Sequence, residues 1–259
     1  MAQNSRSSPS LRDEIEAGAG CEGRDLSAFD FETLEGEEAL TFKHCTLTGA
    51  RVKGGALERS RWSHCKIKNC EFVGAALRDA QFSHCAFFDP DGAAGATFRY
   101  CDLTRAAFSD CNLSLSQFLG SSAHEIAFVD CQMRGVKLEK VDFAADAKRR
   151  RRNKALFERC LMHDATLAGL DLTTCAFRDC ALPNASFHRS LLLDATLANC
   201  NLADVELDDA DFSGADLRGS DLRGFNLPDL RGYSAMKISA SQQHYLLASL
   251  RIEVAPDEG

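Results

Sequence analysis

No stretch of this sequence approaches about eighteen uninterrupted apolar residues, so no helix in it is expected to span a bilayer. The segment 1–20 is polar and lacks the hydrophobic core of a secretory signal. There are twelve cysteines, but no Cys-x-x-Cys pair occurs, and no cysteine stands at finger-like spacing from a histidine. No glycine-rich phosphate loop is present. The seven histidines are scattered. His44, His64 and His84 each precede a cysteine, but neighbours in an extended segment point to opposite sides, so no Cys–His dyad is expected. These absences argue against catalysis, and neither an active site nor a metal or cofactor is expected. Many unpaired thiols suit a reducing compartment, and the expected location is the cytoplasm.

What the sequence does have is a period of five. A large apolar residue, the centre of each unit, recurs without a slip from Phe42 to Phe87, from Phe98 to Phe143 and from Phe157 to Leu227. Of these 35 centres, 29 are Leu or Phe. The exceptions are Val52, Trp62, Ile67, Ala123, Met133 and Met162. Five is neither the helical period of 3.6 nor the strand period of two, so the chain is a repeat array. Two residues before the centre stands a small residue in 28 of the 35 units, Ala 11 times, Cys 11, Ser five and Gly once. Residues two apart in an extended segment share a side, so each unit sends one large and one small side chain inward. The other three positions are polar, and the last two must turn the chain. A corner near a right angle closes the coil after four units. Stacked coils then form a solenoid held by nearest-neighbour contacts. About nine coils at the strand spacing give a rod roughly 40 Å long.

Eleven cysteines (45, 65, 70, 85, 101, 111, 131, 160, 175, 180 and 200) occupy the small inward position, where cysteine acts as a small buried hydrophobe. Cys21 alone lies outside the array. Residues 1–23 read as a mobile extension, 24–230 as the coil and 231–259 as a capping and dimerising segment. Leu26 and Phe31 look like two early centres, followed by an acidic insertion at Glu35, Glu37 and Glu38. Two interruptions break the register: a turn-rich loop at 90–95, with Asp91 and Gly92, and a basic loop at 146–154. Ser239–Gln242 resembles a capping box. It precedes the apolar helical stripe Tyr245, Leu246, Leu247 and Leu250, and Ile252 and Val254 read as a short edge strand. That stripe exceeds what one cap needs, so a two-fold contact is expected there.

Charge is segregated. From Lys43 to Arg78 there are eight bases and two acids, and from Asp194 to Asp229 nine acids and two bases. An acidic end steers toward protein surfaces that normally hold nucleic acid. It disfavours direct nucleic-acid binding, which needs Lys and Arg at the phosphates. The exception is the second loop, with Lys148, Arg149, Arg150, Arg151, Arg152 and Lys154.

The pattern Ala-Asp-Leu-x-x, seen at Ala210–Gly214 and Ala215–Gly219, resembles the pentapeptide-repeat family over about residues 24–230. Within it the chain resembles the Qnr quinolone-resistance proteins. The stretches 85–89, 111–118, 121–126 and 242–247 carry that likeness, as do their order and the positions of both loops. The resemblance implies an all-β, right-handed quadrilateral β-helix with two loop insertions and a short C-terminal helix. It further implies a homodimer through the C-terminus, with Tyr245, Leu246, Leu247, Leu250 and Ile252 in the contact. The partners it implies are DNA gyrase and topoisomerase IV, whose quinolone inhibition such proteins relieve. Their acidic rod is likened to B-form DNA, which here points to Asp204, Glu206, Asp208, Asp209, Asp211, Asp216 and Asp221. The second loop is tied to protection, and both loops count as partner-binding. The extra N-terminal coil, the basic N-terminal coils and the basic second loop depart from uniform DNA mimicry. A scaffold with some other protein partner is the alternative.

Overall fold

The computed structural model of the chain describes residues 11, 12, 15, 20–34, 39–54, 57–145 and 153–255. All 35 centres are buried, the most open being Leu227 at 5 % exposure. The large–small alternation therefore acts as expected, and the chain winds into a four-faced solenoid of parallel strands. The first face is a nine-stranded sheet running from Gly20–Glu22 to Thr196–Ala198. The third carries five strands, and the second begins with two and continues as single bridges. The fourth is held by bridges such as Asp102↔Ser122 and Asp171↔Leu191. Strands are three or four residues long because each unit must also supply a corner.

Coils stack in register. On the first face Phe42 pairs with Trp62 and Trp62 with Phe82. Across the two interruptions Phe82 pairs with Phe108, and Phe128 with Phe157. The insertions thus loop out without disturbing the stack. Rings on this face stack from Phe42 to Phe177, with successive centroids 4.0 to 5.9 Å apart. Corners use left-handed residues, as at Asp110 (φ 53°) and Asn199 (φ 55°). Gly214 and Gly219 (φ 76° and 79°) are required at theirs, because a Cβ would also collide with Asp194 and Asn199 one coil below.

The inward small positions explain the cysteines. Cys45, Cys65, Cys85, Cys111, Cys131, Cys160, Cys180 and Cys200 each precede a residue of one bridge ladder on the second face, so they form a single column. Their thiols donate to carbonyls, as Cys85 does to Trp62 and Ser83. All twelve cysteines are buried and none is in a disulfide. Burial pushes the Cys70 and Cys101 thiols up to about 11 and Cys175 to about 12. Serine fills the same position at Ser60, Ser121, Ser190 and Ser220 with its hydroxyl bonded, whereas the buried Ser116 hydroxyl has no partner among the described residues. Ser220 Oγ accepts from the Cys200 amide at 2.8 Å and donates to the Leu197 carbonyl.

Both ends differ from the sequence reading. Cys21 is not outside the array. It lies in the first strand, in register with Phe42, and its sulfur is 3.7 Å from that of Cys45. The coil therefore begins at Gly20, before residue 24. Within the segment expected to be mobile, Leu11, Arg12 and Ile15 are helical; Ile15 is fully buried and Leu11 packs on the core. The acidic insertion at Glu35, Glu37 and Glu38 lies outside the described residues. At the other end the capping box forms, with the Ser239 amide donating to Gln242. It leads into a helix, α1, at Gln243–Ser249. Ile252 and Val254, read as a short edge strand, are not in a strand.

Gln242 is the contact that closes the coil. Its side chain is 3 % exposed, and Nε2 donates to the Leu217 carbonyl at 2.7 Å and to Ser220 at 2.6 Å. These carbonyls belong to the last full coil; beyond it the chain pairs only as bridges at Gly232 and Lys237 among the described residues. The Leu217 carbonyl also accepts from the Ser220 amide at 3.1 Å, so Gln242→Leu takes the side-chain donor from both carbonyls but leaves Leu217 one partner, an expected loss of about 1–3 kcal/mol if the Ser220 carbonyl stays buried. Urea unfolding measures it, and an unchanged midpoint would show that water replaces the amide.

Candidate protein-interaction surface

On a coil of strands three or four residues long, the recognition features are the loops, the corners, the ends and an open concavity of about 620 Å³ beside the base of the second loop, lined by Arg105, Glu125, Lys154 and Arg178 among others. Among the described residues no cluster of three or more His, Cys, Asp or Glu is placed to hold a metal ion. No helix among them is long and apolar enough to cross a membrane.

The first loop leaves the corner between the second and third faces. Asp89 and Ala94 close it by exchanging backbone hydrogen bonds. The Asp89 carboxylate accepts from Asn69 Nδ2 at 2.6 Å, Lys68 Nζ at 3.3 Å and the Asp91 amide. Partial burial would raise this carboxyl, but these donors hold it below the ordinary range. A lowered carboxyl stabilises above its unfolded pKa of about 4, and the contribution is lost as pH falls below that. Asp91 and Gly92 stand exposed at the tip. The sequence reading singled out the tip and missed Asp89, the residue that shapes it.

The second loop leaves the corner between the fourth and first faces. Asp146 and the basic residues Lys148, Arg149, Arg150, Arg151 and Arg152 lie outside the described residues. The base of the loop is firmly built. Asn153 is 6 % exposed, and its Nδ2 donates to the Asp171 carbonyl at 3.0 Å. Its own carbonyl accepts from Thr174 Oγ1 at 2.7 Å. Lys154 is exposed but engaged, with Nζ 2.8 Å from Glu125.

The acidic residues do not share one face. Glu206 and Asp208 flank Leu207 on the third face; Asp211 lies on the fourth, Asp216 on the first and Asp221 on the second. Asp204 and Asp209 sit at corners. Together they form a belt around the last coils. Asp211, Asp216 and Asp221 are half-buried and each accepts from the amide two residues on. Each also pairs with an arginine, Arg231, Arg218 and Arg223 respectively. The Arg218 and Arg223 guanidiniums hold the Asp216 and Asp221 carboxyls below the usual range. Asp209 pairs loosely with Arg189 at 3.5 Å. Asp204, Glu206 and Asp208 are exposed and make no ion pair among the described residues, so they carry most of the belt's field.

The C-terminal apolar stripe divides. Tyr245 and Leu246 are half-buried against the core, Leu247 is half-buried, and Leu250 and Ile252 are 43 % and 50 % exposed. Val254 and Tyr233 are also exposed, at 72 % and 48 %. The sequence reading also passed over the histidine column. His44, His64 and His84 sit at successive corners, and their rings stack at 5.0 and 4.8 Å. Their spacing of twenty residues, one coil, was the available signal.

Residues 190–227 match the model of the pentapeptide repeats, in eight copies. The chain carries pentapeptide repeats. Among solved structures, the pentapeptide-repeat coil is similar to a trypsin-treated variant of QnrB1, a plasmid-mediated fluoroquinolone resistance protein. That match has a TM-score of 0.75 and 22 % identity, covering 82 % of this chain and 99 % of that one. Full-length QnrB1 matches at TM-score 0.60 and 23 % identity, over 80 % and 97 % of the two chains. At this identity the likeness shows the fold. A comparison with curated protein sequences gives no match.

Proposed function

We propose that the protein binds the type II topoisomerases DNA gyrase and topoisomerase IV and relieves their inhibition by quinolones, without itself being an enzyme. The observation that carries this reading is the QnrB1 fold match, which runs over nearly the whole of that resistance protein. Two features of this chain support it. Its surface is built for macromolecular contact, with loops on a rigid coil. The exposed Asp204, Glu206 and Asp208 present negative charge to a cation-lined surface of the kind that holds DNA. The basic loop adds a second contact, to acidic protein or to enzyme-bound DNA. Pull-down of purified gyrase by the immobilised protein separates this reading from a scaffold with another partner. Retention that weakens with salt supports it, and no retention at low salt contradicts it.

The same reading includes a homodimer through the C-terminal end. Leu250, Ile252, Val254 and Tyr233 offer an apolar surface that a two-fold contact would cover on both subunits. Leu250→Asp with Ile252→Asp is expected to give a monomer in light scattering, with the coil intact by circular dichroism. A dimer unchanged by the pair of charges would rule this contact out.

A further inference from the structure

Two cysteines meet at the N-terminal end of the coil. Cys21 lies in the strand Gly20–Glu22, the outermost of the first face, which pairs on one side with Thr41–Lys43. Cys45 is the first member of the cysteine column on the second face. Their sulfurs are 3.7 Å apart, and the Cys45 thiol lies 3.6 Å from the Cys21 carbonyl. A bonded pair of sulfurs sits at about 2 Å, so a closing of under about 2 Å joins them.

Access separates this pair from the other cysteines. Cys21 is 8 % exposed, and each of the other eleven is 2 % exposed or less. The inner members of the column are sealed between coils, each held from above and below. Cys21 sits on an edge strand, with no described strand before it, so that strand opens without breaking the stack beneath it. Opening exposes the Cys21 thiol to small solutes, and reclosing returns it to Cys45.

We propose that Cys21 and Cys45 form an oxidation site, at which hydrogen peroxide joins the two sulfurs in a disulfide that clamps the first strand to the coil. Cys21, reached when the strand opens, attacks the peroxide. It keeps one oxygen as the sulfenic acid, and the other leaves as water. Cys45 then attacks the Cys21 sulfur as thiolate. The S–S bond forms, the S–O bond breaks, and the departing hydroxide takes up the proton that Cys45 gave. Two thiols and one peroxide thus give one disulfide and two waters, with two electrons passing from sulfur to oxygen. A thiol reductant reverses the bond by exchange, so in a reducing compartment it is transient. The bond closes residues 21–45 into one loop, which holds the buried Leu26, Phe31, Leu34, Leu40 and Phe42 in place. The site goes beyond the topoisomerase reading and stands without it.

The test treats the reduced full-length protein with hydrogen peroxide, counts its thiols under denaturing conditions and maps its tryptic peptides without reduction. Of the twelve thiols two should be lost, and peptide 13–24 should be found joined to peptide 44–51. The oxidised protein should melt about 5 °C higher than the reduced one, and dithiothreitol should restore both the thiols and the lower Tm. Cys21→Ser and Cys45→Ala should each keep every remaining thiol and show no shift in Tm; alanine and serine fill inward positions elsewhere in the coil. Loss of no thiols, or loss without the joined peptides, overturns the proposal. So does a link from 44–51 to 62–66, the peptide that carries Cys65. A Cys21–Cys45 bond that leaves Tm unchanged overturns the clamp.

Discussion

Phe108→Ala is expected to lower stability by about 3–5 kcal/mol, the largest effect of any single truncation considered. Phe108 is fully buried at the middle of the rod, and its ring meets five others. It stacks on Phe82 at 4.8 Å and Phe128 at 5.1 Å, and meets Phe87, Phe98 and Phe118 edge to face. Neighbouring coils cannot close the gap, because backbone hydrogen bonds between coils hold their spacing, as from the Ala107 amide to Ala80 and from Ala127 to Ala106. The cavity therefore stays largely open, which is the costly case. Denaturant unfolding checks the value. A loss below about 1 kcal/mol would mean that the coils collapse onto the space and that the stack is not rigid.

The second large effect concerns activity. Replacing Arg149, Arg150, Arg151 and Arg152 with serine is expected to leave circular dichroism and melting near wild type. Among the described residues, the contacts that anchor the base of this loop come from Asn153, Thr174 and Lys154. Removing four like charges should raise the concentration needed for half-rescue of gyrase by on the order of tenfold, and flatten its salt dependence. Full rescue by this variant would make the basic run a bystander. The site would then move to the acidic belt around Asp204, Glu206 and Asp208.

The sequence showed plainly which side chains go inward. A five-residue period with a small residue two before each centre specifies burial unit by unit, and Phe42 through Leu227 follow it. It also located both loops, since an insertion shifts the register of every later centre. Vertical neighbours were harder to see. They depend on four-unit coils and on the lengths of the insertions, so the stacked His44, His64 and His84 and the eight-cysteine column stayed hidden among scattered positions. The belt shape of the acidic residues was missed for the same reason: residues five apart lie on different faces. Asp216 and Asp221 read as exposed charge but are half-consumed by their own turns and arginines. The ends were the least legible. Cys21 stands five residues before Leu26 and so continues the period, but as a small residue at a centre position it was not read as one; Ile15 is off the period, and only its burial ties it to the core. Tyr100 and Leu115 stand two after a centre, the corner position that Gly214 and Gly219 mark as left-handed, but as apolar residues they did not stand out there.

The most direct test is a gyrase supercoiling assay with ciprofloxacin, titrated with the purified protein. Supercoiling should recover as protein is added and fall back as salt is raised at fixed protein. It should not recover with a pentapeptide-repeat coil that lacks the acidic belt and the loops. No recovery at any concentration, with gyrase active and the protein folded, would contradict the account.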